Sequence, residues 1–176
     1  MSSKLPSREQ ALTLLRQNHC SPSVISHCRA VANLSVETAK ICQKKGLKVD
    51  LELVEAGALL HDLGRSKTHT VNHAVVGAQI AKKAGLPEPV INIIKRHVGG
   101  GITNAEAKDL GWPEDNYVPI TLEEKIVSYA DKLVEISKRI PIEMTINKLR
   151  EEKLETAAIK VKELHDEIKE IVGDHP

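Results

Sequence analysis

Four histidines and two aspartates stand where they could share a metal: His27, the adjacent pair His61-Asp62, His73, His97 and Asp131. A neutral imidazole offers one ring nitrogen to a divalent ion, and a carboxylate can hold one ion with one oxygen and reach a second with the other. Such a centre lowers the pKa of bound water and neutralises charge on a phosphoryl oxygen, which is the chemistry of phosphoester and phosphoanhydride hydrolysis. The His-Asp pair alone would say little, because a capped helix end with a hydrogen-bonded histidine reads the same way. The other four residues change the balance, provided that separate elements bring them together.

The elements that must do so read as helices. Ser7 with Gln10, Ser21-Pro22, Asp50, Asn72, Thr103 with Glu106, and Thr121 with Glu124 are successive start signals, and Gly46 and Gly85 are stops. Helices are predicted over about residues 8 to 17, 22 to 45, 51 to 64, 73 to 84, 88 to 98, 104 to 110, 122 to 139 and 145 to 172. With no Phe, and only Trp112, Tyr117 and Tyr129 as aromatics, the interior must be filled by Leu, Ile, Val and Ala, which suits helix-on-helix packing. The fold class is therefore all-α, a helical bundle that can aim side chains from facing helices into one cavity. Pro141 separates the last predicted helix from its predecessor. That helix carries an apolar stripe of Leu149, Leu154, Ala158, Val161, Leu164, Ile168 and Ile171, which fits either a closing helix packed on the bundle or the seam of a homo-oligomer.

Length and composition set bounds. A chain of 176 residues with 41% hydrophobic and 28% charged residues suits one globular domain. With 25 basic against 24 acidic residues there is no general electrostatic reason to expect nucleic-acid or membrane binding, so an anionic substrate must be held locally. Cys20, Cys28 and Cys42 lack C-x-x-C spacing and point to neither a disulfide framework nor a zinc ribbon, which fits a reducing cytoplasm. No signal-peptide pattern and no apolar run of transmembrane length is present, so a cytoplasmic protein without membrane partners is expected.

The six residues occur in the segments "VISHCRAVA", "AGALLHDLGRS", "NHAVVGAQIA", "IIKRHVGGG" and "EEKIVSYADKL". In this order, and with these framing residues, the chain resembles the HD-domain superfamily of metal-dependent phosphohydrolases. The resemblance implies an HD domain over residues 20 to 140, an N-terminal helical extension over 1 to 19, and a C-terminal one over 141 to 176 packed on the same domain. It further implies that His27, His61, Asp62 and Asp131 hold one divalent ion, that His73 and His97 add a second, and that Asp62 bridges the two. Fe, Mn, Co, Ni and Zn are equally compatible. HDLG replaces the frequent HDIG, and His97-Val98 replaces the adjacent histidines of many dinuclear members, which argues against a third ion. No Gly-Tyr-Pro sequence is present, unlike the branch that cleaves cyclic dinucleotides under that name. Several segments look most like small bacterial HD proteins that hydrolyse diadenosine tetraphosphate, so a small nucleotide-like substrate is expected.

Asp62 and Arg65 are the expected catalytic residues, with Arg65 one helical turn from Asp62 and able to offer a planar fork to phosphate. Lys67 and Lys132 are further candidates for phosphate binding, or else solvated lysines; His69 is a candidate proton donor, or else a loop residue. Trp112 and Tyr117, in the stretch that begins at Gly99-Gly100-Gly101, could stack on a base or serve local packing of the loop. Gly77-Ala78 would let the His73 helix approach a neighbour closely. Two other readings remain: a dinuclear-iron oxygenase of the same superfamily, since ligand type does not separate it from a hydrolase, and a noncatalytic metal-binding regulatory domain.

Overall fold

The computed structural model describes residues 4 to 174, so the ends of both predicted extensions lie outside the described residues. Seven helices follow from the cap signals in chain order: α1 (Arg8–Gln17), α2 (Pro22–Lys44), α3 (Leu51–Leu60), α4 (His73–Lys83), α5 (Glu88–Arg96), α6 (Asn104–Asp109) and α7 (Leu122–Lys132). α1, α6 and α7 open with reciprocal capping boxes at Ser7/Gln10, Thr103/Glu106 and Thr121/Glu124. Ser21 and Asp50 cap α2 and α3. The positive φ of Gly46 (86°) and Gly85 (73°) ends α2 and α4 in the conformation a side chain disfavours. Asn72 departs from expectation: its side chain caps nothing and accepts instead from Trp112 Nε1 at 2.7 Å.

Three predicted boundaries are corrected. α3 stops at Leu60, not near residue 64, and the chain tightens into a 3-10 turn over Leu63–Ser66. α7 stops at Lys132, not 139, and gives way to a two-stranded antiparallel hairpin, β1 (Val134–Glu135) and β2 (Lys138–Arg139), in which Val134 faces Arg139 and Glu135 faces Lys138. The final helix is two, α8 (Ile142–Glu151) and α9 (Glu155–Val172). Between them Lys153 takes φ 62°, its N–H donates to Arg150 O at 2.9 Å, and the N–H of Leu154 donates to Leu149 O at 2.8 Å. That is the glycine-type helix stop with lysine in the glycine's place, which hid it from a composition-based reading.

α3 forms the centre. Val54, Ala56, Gly57, Ala58, Leu59 and Leu60 are all buried, as expected of a helix surrounded by others, and it packs on α1, α2, α5 and α7. α9 lays Ala158, Val161, Leu164, Ile168 and Val172 onto the bundle, so its stripe is used within the chain. None of the helices is long and apolar enough to cross a membrane, among the described residues.

Glycines set the closest approaches. A methyl group on Gly64 would overlap the carbonyl oxygen of His73 and come within 2.6 Å of the Gly77 nitrogen; one on Gly77 would lie 2.9 Å from Ile94 Cγ2. The close approach expected of the His73 helix is therefore present, against both the 3-10 turn and α5. Gly64→Ala must push the turn off α4, and we expect it to lower unfolding free energy by about 1–3 kcal/mol or more, read from denaturant melts. Unchanged stability would mean that the turn relaxes without cost.

Candidate metal centre

Helix ends place most of the candidate ligands. His61 is the C-terminal cap of α3, His97 that of α5, and His73 the first residue of α4. Each donates Nδ1–H to the carbonyl three residues earlier, at 2.7 Å: His61 to Ala58, His73 to Thr70 and His97 to Ile94. His27 lies inside α2, where the main-chain carbonyls serve the helix, and it donates Nδ1–H instead to Ile136 O at 2.8 Å, across 109 residues of sequence. A carbonyl oxygen can only accept, so all four rings carry a proton on Nδ1 and turn Nε2 inward, the atom whose lone pair a neutral ring would offer to a metal.

Those four nitrogens meet the two carboxylates. His27 Nε2 lies 3.0 Å and His61 Nε2 3.4 Å from Asp131 Oδ1. On the other side His73 Nε2 is 3.2 Å and His97 Nε2 3.5 Å from Asp62 Oδ1, and the two ring nitrogens are 3.0 Å apart. Asp62 Oδ2 faces the first group, 3.7 Å from His61 and 3.9 Å from His27. Asp62 thus turns one oxygen to each pair of histidines. His27, His61 and Asp131 form one set with metal-ligand spacing, and His61, Asp62 and His97 another.

Electrostatics agree. Burial pushes the His61 imidazole down, but the Asp62 charge, with Cys28 and Asp131, outweighs it and holds the pKa well above the ordinary value. Burial would raise Asp62, yet His61, His73 and His97 keep its carboxyl well below the usual range; Lys132, His27 and His61 do the same for Asp131. Burial, reinforced by His61 and His73, pushes His97 down to about 4 despite its contact with Asp62. The pocket therefore holds two ionised carboxylates that favour positive charge on His61, beside an imidazole, His97, kept neutral. His61 Nε2 and Asp62 Oδ1 are buried without a hydrogen-bond partner, which is costly unless a cation sits among them. The residues fit a divalent metal.

The substrate-binding candidates divide. Arg65 is at the site, but Nε donates to Asp62 Oδ2 at 2.8 Å and Nη1 to His69 O at 3.1 Å, so part of its fork already holds the carboxylate. Lys132 Nζ lies 2.6 Å from Asp131 Oδ2 and 3.1 Å from His97 O. Lys67 and His69 are exposed. Trp112 and Tyr117 pack edge to face, with centroids 4.9 Å apart, and Tyr117 donates to Pro113 O at 2.9 Å. His27 and Asp131 are 15% and 17% exposed while His61, Asp62, His73 and His97 are at most 5%, so the centre opens on the His27–Asp131 side. Cys20, Cys28 and Cys42 are buried free thiols.

Sequence reasoning missed three supports. The Ile136 carbonyl is supplied by a hairpin that no turn signal announced. Ser128 Oγ donates to His97 O at 3.0 Å. Arg96 pairs with the buried Glu124 at 2.8 Å and donates to Asn116 O at 3.1 Å, tying α5 to the start of α7; the only hint was Glu124 in a capping box.

An all-α bundle that gathers histidines and aspartates at helix ends around one pocket fit for a divalent ion defines a histidine–aspartate class of metal-binding protein. The chain belongs to the HD-domain family, which matches residues 24–136, and is an HD-superfamily metal-dependent phosphohydrolase. It is 49% identical to an uncharacterised protein of Methanocaldococcus jannaschii over 140 residues, 80% of this chain and 82% of that one. It is 38% identical to a tRNA (cytidine(56)-2'-O)-methyltransferase of Picrophilus torridus over 169 residues, 96% of this chain but only 48% of the methyltransferase, so it spans about half of that relative. In fold it is similar to the HD domain of the L. monocytogenes phosphodiesterase PgpH, with TM-score 0.55 and 20% identity, over 90% of this chain and 94% of that one; that domain has also been solved in complex with cyclic-di-AMP.

Arg96→Met would leave Glu124, 4% exposed, without its partner. We expect a loss of about 3–5 kcal/mol in denaturant melts, and partial recovery in Arg96→Met/Glu124→Gln, because the uncompensated charge carries most of the cost. Equal melts for the single variant and the parent chain would show that the pair is not a structural tie.

Proposed function

We propose that this chain hydrolyses a phosphoester or phosphoanhydride of a small nucleotide-like molecule at a centre of two divalent transition-metal ions. The observation that carries the reading is the convergence of four inward-turned ring nitrogens on two ionised carboxylates, with His61 Nε2 and Asp62 Oδ1 buried there without a hydrogen-bond partner. His27, His61, Asp62 and Asp131 would hold one ion, and His73, His97 and the other Asp62 oxygen the second. When bound, the ions supply an activated water and neutralise charge on the phosphoryl oxygens.

The chain's own residues do the rest. Carbonyl-held Nδ1 protons keep the lone pairs pointing inward. Arg65 fixes Asp62 and Lys132 fixes Asp131, and both cations stand on the His27–Asp131 side, where an anionic group would enter. Arg65 is therefore both a positioning residue for Asp62 and a charge for the incoming phosphoryl group, with Lys67 exposed beyond it. The PgpH domain solved with a cyclic dinucleotide supports a nucleotide-like substrate.

Metal analysis of the reconstituted protein should find two ions per chain, falling to one in His73→Ala. Phosphate or nucleotide release, screened over nucleoside monophosphates, cyclic nucleotides and dinucleoside polyphosphates, should need metal, stop with chelator and fall to background in Asp62→Ala. Substrate-linked oxygen uptake by the iron form without phosphate release would instead favour an oxygenase, and tight metal retention with neither activity a regulatory domain. Because Arg65 holds Asp62, Arg65→Ala should lower metal affinity or turnover by roughly 10- to 100-fold, and Arg65→Lys should recover only part. Parental kinetics and metal content in Arg65→Ala would remove the residue from the site.

A further inference from the structure

Beside the metal cluster lies an apolar groove that the hydrolytic reading leaves without an occupant. Its volume is about 610 Å³, within the range of roughly 300–1,000 Å³ typical of small-molecule sites. Val71, Val98, Ile102 and Leu110 line it together with Leu149 and Leu154 from the stop between α8 and α9. Leu110, Val71 and Leu154 are 42%, 44% and 49% exposed, an unusual concentration of half-bare apolar side chains around one cleft.

The groove borders the candidate centre at Lys132. Val98 follows His97, Val71 comes two residues before His73, and Lys132, which lines the groove, has its Nζ 2.6 Å from Asp131 Oδ2. A phosphoryl group at the Asp131 edge would carry its organic part over Lys132 and into this cleft. The rim contains Asp109, Glu152 and Glu155, the last paired with Arg150, beside Lys153, while Glu106 and Lys160 engage each other. Carboxylates there disfavour a second anionic group and offer acceptors to N–H donors on a ring edge. The neighbouring cavity of about 620 Å³, which reaches Asp131 as well as Lys132, mixes Val134, Ile140 and Met144 with Glu135, Asn147, Lys148 and Glu151 and is the more polar of the two.

We infer that the groove receives the flat ring of the substrate, a nucleobase bearing an exocyclic amino group, with Leu110 and Leu154 as specificity-determining residues. The position of the phosphate rests on the phosphohydrolase reading; the seat of the ring does not. The test is methyl NMR of the zinc-loaded protein titrated with adenosine, adenosine monophosphate and ribose 5-phosphate, with kinetics on the two phosphates. Adenosine and its monophosphate should shift the methyls of Ile102, Leu110, Leu149 and Leu154, and ribose 5-phosphate should not. Leu110→Glu and Leu154→Glu should weaken adenosine binding and raise KM for the monophosphate on the order of ten- to a hundredfold, while kcat/KM for ribose 5-phosphate stays within about twofold. Adenosine shifts elsewhere, or affinities unchanged in both variants, would overturn the assignment even if phosphate is released. Groove shifts without hydrolysis of any phosphate would sustain it and count against the hydrolytic reading alone. Shifts produced by an oligoribonucleotide and not by the mononucleotide would overturn it in favour of an RNA ligand.

Discussion

The inward turn of four imidazole rings is the constraint on which the rest of this structure depends. Their Nε2 atoms crowd against two ionised carboxylates, and they are held there because backbone carbonyls take the Nδ1–H of every ring. Two of those carbonyls, of Ala58 and Ile94, belong to the last turn of a helix, where C=O groups lack intrahelical partners, and a third, of Thr70, lies in the turn before α4. The ends of α3 and α5 and the start of α4 therefore serve twice, closing a helix and orienting a ring.

Holding such a pocket together requires close packing around it. α3 carries His61 into the centre of the bundle, and the turn after it sits so near α4 that neither Gly64 nor Gly77 leaves room for a methyl group. Beyond the rings, Arg65 and Lys132 restrain the two carboxylates, and Ser128 and Lys132 converge on the His97 carbonyl. Each cation partly offsets the charge it touches, which lets Asp62 remain ionised at 5% exposure.

Most of this was legible in the residues because it is local. Capping boxes at Ser7, Thr103 and Thr121, and glycine stops at Gly46 and Gly85, depend on neighbours within a few positions, and the structure keeps them. The order and framing of the six candidate ligands pointed to one family, and the fold brings all six together. What was missed depends on distant partners or on residues without the usual signature. Lys153 closes α8 in a conformation normally given to glycine, Asn72 leaves its helix for Trp112, and α7 yields to a hairpin through a stretch, Val134 to Arg139, with neither glycine nor proline. Nothing in the spacing of Arg96 and Glu124 shows that two helices will bury them against each other.

The hairpin tip has a wider meaning. Ile136 adopts φ 57° with a β-branched side chain that is 67% exposed, so packing does not compensate for an unfavourable backbone. What the conformation secures is the direction of one carbonyl, the one that fixes His27. The side chain at this position is thus chemically silent while its backbone is strict, and a residue comfortable in the left-handed region could replace isoleucine without altering the centre's composition. A short surface turn, held by pairs such as Arg139 with Glu37, becomes the remote arm by which the exterior of the protein sets the proton of an imidazole at the mouth of the centre.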